Sequence, residues 1–123
     1  MKKIYIRSIS IIVLLTGALY LLVPLKFVPS LLACSNNPDL LNIVRSGGAL
    51  YITLAIVMFS LSKKPDLIMK CITAIVIIMV GLVAGRSLSI IADGVPDKTF
   101  IVSTIIESVY ALWGVVILKG AKK

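Results

Sequence analysis

Four long apolar runs dominate this chain, at roughly residues 4–23, 41–62, 67–91 and 99–118. A helix needs about 20 apolar residues to cross the ~30 Å hydrocarbon core of a bilayer, and every run is near or above that length. A water-soluble helix of this size would carry a polar face for solvent; these runs have almost none. The sequence is 59% hydrophobic, against about 45–50% for soluble domains. Four spans leave no length for a second domain in 123 residues. The expectation is an all-α integral membrane protein: a single four-helix bundle over residues 1–123, with up-down topology.

The formal net charge of +8 raises nucleic acid as a partner, but the cations flank the apolar runs. Cytoplasmic flanks of membrane helices carry an excess of Lys and Arg. With connections alternating sides, Lys2, Lys3, Arg7, Lys63, Lys64, Lys70, Lys119, Lys122 and Lys123 share one side. Lys26, Arg45 and Lys98 share the other, and Arg86 lies inside a span. This bias predicts both termini in the cytoplasm. The expected partner is the lipid bilayer, not nucleic acid.

The opening "MKKIYIRSISIIVLLTGALYLLV" has the basic start and apolar stretch of a secretory signal, and "LLAC" at 31–34 looks like a lipoprotein cleavage box. Pro24, Lys26 and Pro29 interrupt the interval before Cys34, and the apolar run exceeds the ~7–15 residues of a signal core. An uncleaved first helix is expected. Cys34 then sits in the first connection and Cys71 in the third span, too far apart to pair. With no His in the chain, neither a disulfide framework nor a zinc site follows, and no cofactor is expected.

Local signals punctuate the runs. Asn37 is placed to cap the second span, with Pro38 at its first position. "SKKPD" makes a tight turn, and Gly94 and Pro96 stop the third span. Phe27, Val28, Leu31 and Leu32 beside Lys26 predict a short segment lying at the membrane surface. Thr16, Gly17 and Tyr20 form a small-polar patch suited to helix contact, and "GLVAG" at 81–85 has the small-xxx-small spacing of close helix approach. Trp113 fits either the interfacial belt or the bundle interior.

Charges inside the spans carry the most information. A central Arg costs about 2.5–3.5 kcal/mol on insertion scales, so Arg86 needs compensation. It lies ~9 Å below the end of the third span, and Glu107 ~12 Å below the start of the fourth, at 1.5 Å per residue. Helices joined by so short a loop are normally antiparallel neighbours. An ion pair between Arg86 and Glu107 is therefore predicted. Arg86, Ser89 and Asp93 share one stripe of the third helix, and Ser103, Glu107, Tyr110 and Gly114 share one on the fourth. Arg45 opens the second helix at the same level, followed by Gly47, Gly48 and Tyr51. Convergence of Arg45, Arg86, Asp93 and Glu107 would give a formally neutral set, supported by Gly85, Ser89 and Tyr110.

"RSGGALY" (45–51), "GRSLSIIADGVP" (85–96) and Glu107 together resemble a family of small four-span bacterial membrane proteins catalogued as a domain of unknown function (four-three-four-five). The resemblance covers residues 40–118. It rests on an Arg-x-Gly-Gly start to the second span and a Gly-Arg pair in the third. Arg45, Gly47, Gly48, Gly85, Arg86 and Asp93 stand at the matching positions. The resemblance implies four spans and importance for the two arginines, and no activity.

Three functions compete. The first is a non-enzymatic module binding an anionic small molecule, a lipid headgroup or a membrane protein partner through the arginine pocket. The second is a small proton-coupled transporter acting as an oligomer. The acid-free first helix and the strong charge bias disfavour it. The third is an enzyme, against which stand the lack of His and of any Ser beside a base. The polar cluster also has a purely structural role open to it, as a clasp fixing helix register.

Overall fold

The computed structural model describes residues 1–34 and 36–121. It is all-α, with no strand among the described residues. Five α-helices follow in order: α1 (Lys2–Leu22), α2 (Pro24–Phe27), α3 (Pro38–Leu61), α4 (Ile68–Asp93) and α5 (Lys98–Gly120), with 3-10 turns at Pro29–Cys34 and Pro65–Leu67. All but α2 are long and apolar enough to cross a membrane. Their exposed Leu, Ile and Val side chains suit a hydrocarbon solvent, and each helix satisfies its own backbone, as a membrane demands. Hydroxyls within the spans do the same. Ser10, Thr53, Thr73, Ser87, Thr104 and Ser108 each donate to the carbonyl four residues back, at 2.7–3.0 Å.

The helix ends follow from local chemistry. Val23 leaves helical geometry (φ −135°) because Pro24 disfavours that region for its predecessor. Asn37 caps α3, its Oδ1 accepting from the amides of Asp39 (3.1 Å) and Leu40 (3.2 Å), with Pro38 at the first position. Gly94 ends α4 at φ 99°, a conformation that L side chains rarely adopt. Asp97 then caps α5, accepting from the Thr99 amide at 2.9 Å.

Two antiparallel hairpins build the bundle: α1 packs along α3, and α4 along α5, with sparser contact between the pairs. The α1/α3 crossing is very close. A Cβ on Gly17 would lie 2.7 Å from the Gly48 carbonyl oxygen, and a Cβ on Gly48 equally close to that of Gly17. Gly114 of α5 is pressed against Val76 and Tyr5. The expectation that "GLVAG" forms a packing face is overturned. Added Cβ atoms at Gly81 and Gly85 would meet nothing within 4 Å, because that stripe of α4 faces outward and the α1/α3 pair approaches its other side.

The apolar core lies toward the end that carries the termini. Tyr5, Ile6 and Ile9 of α1 meet Ile72, Ile75 and Val76 of α4 there, all buried. Trp113 joins this cluster, its ring edge-on to Tyr5 at 5.3 Å. Beyond Met79 no residue of α4 is buried, so α4 parts from the α1/α3 pair toward the opposite, far end. The segment after α1 folds back over that far end: Pro24 and Val28 are buried, and the Phe27 carbonyl accepts from the Thr99 hydroxyl at 3.2 Å. The side chain of Cys34 lies outside the described residues.

A candidate binding site at the buried ion pair

Arg86 and Glu107 meet in the half where α4 parts from the α1/α3 pair. The Arg86 Nε donates to Glu107 Oε2 at 2.8 Å and one Nη to Oε1 at 2.9 Å. Both ends of the carboxylate are therefore held by the planar guanidinium, the strongest arrangement open to such a pair. Antiparallel pairing of α4 with α5 brings them to one level. The carboxylate is nearly enclosed, with 9% of its side chain exposed, while the arginine keeps 20%. That asymmetry matters: the pair is neutral as a unit, but its accessible edge is the cationic one.

Aromatic rings surround that edge. The guanidinium carbon stands 5.6 Å from the centre of the Phe100 ring, within cation–π range. Phe100 stacks on Tyr20 at 6.5 Å, and Tyr20 meets Tyr51 edge-on at 6.3 Å. Tyr20, Tyr51, Phe100 and Arg86, with Ile43, Val44 and Gly47, line a hollow of about 210 Å³ that opens between α3 and α4. A smaller space of about 50 Å³ adjoins it at the bundle centre, sharing Tyr51 and Arg86 and adding Thr16, Ser103 and Glu107 over an apolar floor.

The four charges predicted to converge do not. Arg45 reaches instead to the Leu21 carbonyl. The last carbonyls of a helix lack partners within it and carry the negative end of its dipole, so a cation beside the end of α1 is well placed there. Asp93 is the last residue of α4, exposed, and accepts from the Ser89 hydroxyl at 2.9 Å. Neither makes an ion pair among the described residues. Of the supporting residues, Tyr51 and Gly47 line the hollow, and Gly48 holds α1 against α3. Gly85 and Ser89 are exposed. Ser103 gives its proton to the Thr99 carbonyl at 3.0 Å. Tyr110 belongs to the aromatic cluster at the termini end, where its carbonyl accepts from the Tyr5 hydroxyl at 3.0 Å.

Phe100 and Tyr20 are the residues that sequence reasoning missed at this site. A signal for Tyr20 exists: Gly-Ala-Leu-Tyr occurs twice, at 17–20 and 48–51. The two copies face each other across the α1/α3 crossing, glycine on glycine, and deliver both tyrosines to the arginine.

Four apolar spanning helices closed over a paired Arg and Glu define a small polytopic helical membrane protein. The chain belongs to the family described as a domain of unknown function (DUF4345), which it matches over residues 1–118. The match takes in α1 and the connection after it, beyond the 40–118 stretch that carries the sequence resemblance. Comparison with curated proteins and with solved structures finds no match.

Proposed function

We propose that this protein is a non-enzymatic binding module of the bacterial inner membrane, with both termini cytoplasmic, that takes an anionic amphiphile at Arg86. One observation supports this above others. Glu107 occupies Nε and one Nη of the guanidinium, and the other Nη, with the Tyr20 and Tyr51 hydroxyls near it, makes no close hydrogen bond among the described residues. It borders the hollow between α3 and α4, where the Tyr20 and Tyr51 side chains also stand. A carboxylate or phosphate headgroup has the acceptors these donors need, and the apolar flank at Ile43 and Val44 suits its tail. The orientation rests on the excess of cations on the termini side, which follows the positive-inside rule. Bidentate capture of Glu107 disfavours the proton-exchange alternative, in which that carboxylate must change partners each cycle.

Thermal unfolding of the purified protein with a medium-chain fatty acid, against the matching neutral alcohol, tests this reading. The acid should raise the melting temperature and the alcohol should not. Glu107→Gln should strengthen the response, because it frees the arginine's charge for the ligand. A clasp with a purely structural role would leave the acid without effect on either protein, and that result would end the proposal.

A further inference from the structure

A second hollow lies on the other side of the bundle, between α1 and α5. These helices are tied near both ends. At the termini end the Tyr5 hydroxyl bonds the Tyr110 carbonyl; at the far end Tyr20 stacks on Phe100 and Thr99 bonds the Phe27 carbonyl. Between these ties they stand apart, leaving a groove of about 500 Å³. Leu15 and Leu19 form one wall, Val102 and Ile106 the other, with Lys98 and Thr99 at the mouth.

A groove this size cannot stay empty in a membrane, and water has few polar partners on such walls. From Thr99 to Ile106 it runs about 10 Å along the helix, a depth within one leaflet of a ~30 Å core. The charges at the mouth select the headgroup. Asp97 turns its carboxylate to the Thr99 amide, and Thr99 spends its hydroxyl on Phe27. Lys98 makes no ion pair among the described residues, and Lys26, exposed, neighbours Phe27 of the same groove.

We propose that this groove holds one acyl chain of an anionic phospholipid, with the phosphate at Lys98. The groove shares no lining residue with the Arg86 hollow, although both border the small space at the bundle centre. Native mass spectrometry of the full chain, released from micelles containing equal phosphatidylglycerol and phosphatidylcholine of matched chains, reads it directly. One phosphatidylglycerol should be retained per chain, preferred about fivefold, the scale of one lysine beside an anionic surface. Lys98→Gln should bring the preference close to unity, and Lys98→Arg should keep it. Val102→Trp, which fills the groove, should abolish retention of either lipid there. Equal retention of the two lipids by the unmodified protein, or an undiminished preference in Lys98→Gln, overturns the proposal. If Val102→Trp loses its helical circular dichroism, the Lys98 pair alone decides.

Discussion

Gly17 and Gly48 cross so closely that a Cβ on either would sit 2.7 Å from the carbonyl oxygen of the other. The contact is reciprocal. The same Cβ atoms would also approach Tyr51 at 2.9 Å and Tyr20 at 3.0 Å. Membrane helices gain little from a hydrophobic effect between them, so backbone proximity and van der Waals packing hold such a pair together. The tyrosines that frame Arg86 are consequently positioned by the glycines one turn before them.

Substitution at the crossing should therefore be costly, and substitution on the outward stripe should not. Gly17→Ala or Gly48→Ala must push backbone against backbone, at about 1–3 kcal/mol, the usual range for overpacking. Gly81→Ala and Gly85→Ala should be neutral or slightly stabilising, since alanine is the better helix former by about 1 kcal/mol. Melting temperatures of the four variants in one detergent would check this; equal losses in all four would refute the assignment of the crossing.

Breaking the ion pair from either side should destabilise the fold, and breaking it from both sides should cost little more. Arg86→Leu leaves a carboxylate enclosed without its partner, a loss of about 3–5 kcal/mol for a buried pair. Glu107→Gln should cost less, because the arginine retains some exposure. In the double variant the second change should add little. Arg86→Lys should rescue only partly, as an ammonium does not match both carboxylate oxygens. A double-mutant cycle by thermal or denaturant unfolding measures the coupling, and full stability in both single variants would remove the pair from any structural role.

The start of α5 should weaken in acid. The hydrogen bond from the Thr99 backbone amide holds the Asp97 carboxyl below its ordinary value of 3.8. Because the folded value is the lower one, the cap's contribution is full above the ordinary carboxylate range and fades as pH drops through the folded value. Amide exchange at residues 99–101 should accelerate below about pH 4 on that account. Asp97→Asn keeps a capping oxygen and should remove the pH dependence; exchange that stays pH-sensitive in that variant would show the cause to lie elsewhere.

The proposed orientation has a direct check. Single cysteines placed at Lys64 and at Lys98, in a chain with Cys34 and Cys71 replaced by Ser, should respond oppositely to a membrane-impermeant maleimide applied to whole cells. Position 98 should react and position 64 should not. The reverse pattern, or reaction at both, would contradict termini in the cytoplasm.

The spans, their order and their ends were legible in the sequence because each has a local cause. Length and unbroken hydrophobicity specify a span, Pro24 ends one helix, Asn37 and Pro38 open another, and Gly94 stops a third. The partnership of Arg86 with Glu107 was legible too, through depth: a short turn forces neighbouring helices antiparallel, and residue count then sets both groups at one level. Arg45 and Asp93 resisted the same treatment. Depth places a residue along a helix but not around the bundle, and each had a nearer partner, the Leu21 carbonyl and the Ser89 hydroxyl.

Glycine spacing misled for a related reason. Gly81 and Gly85 have the separation that packing helices use, but which stripe of α4 faces a neighbour depends on how the two hairpins are rotated. The repeated Gly-Ala-Leu-Tyr was in plain view, yet only a crossing of α1 with α3 turns it into a contact. The chain's order of residues thus settled which segments are long and apolar enough to span a membrane and where each helix begins and ends, since those depend on transfer energy and backbone chemistry nearby. Packing in three dimensions alone decided which faces meet and where hollows open, because these arise from the fit of whole helices rather than from any one residue's preference.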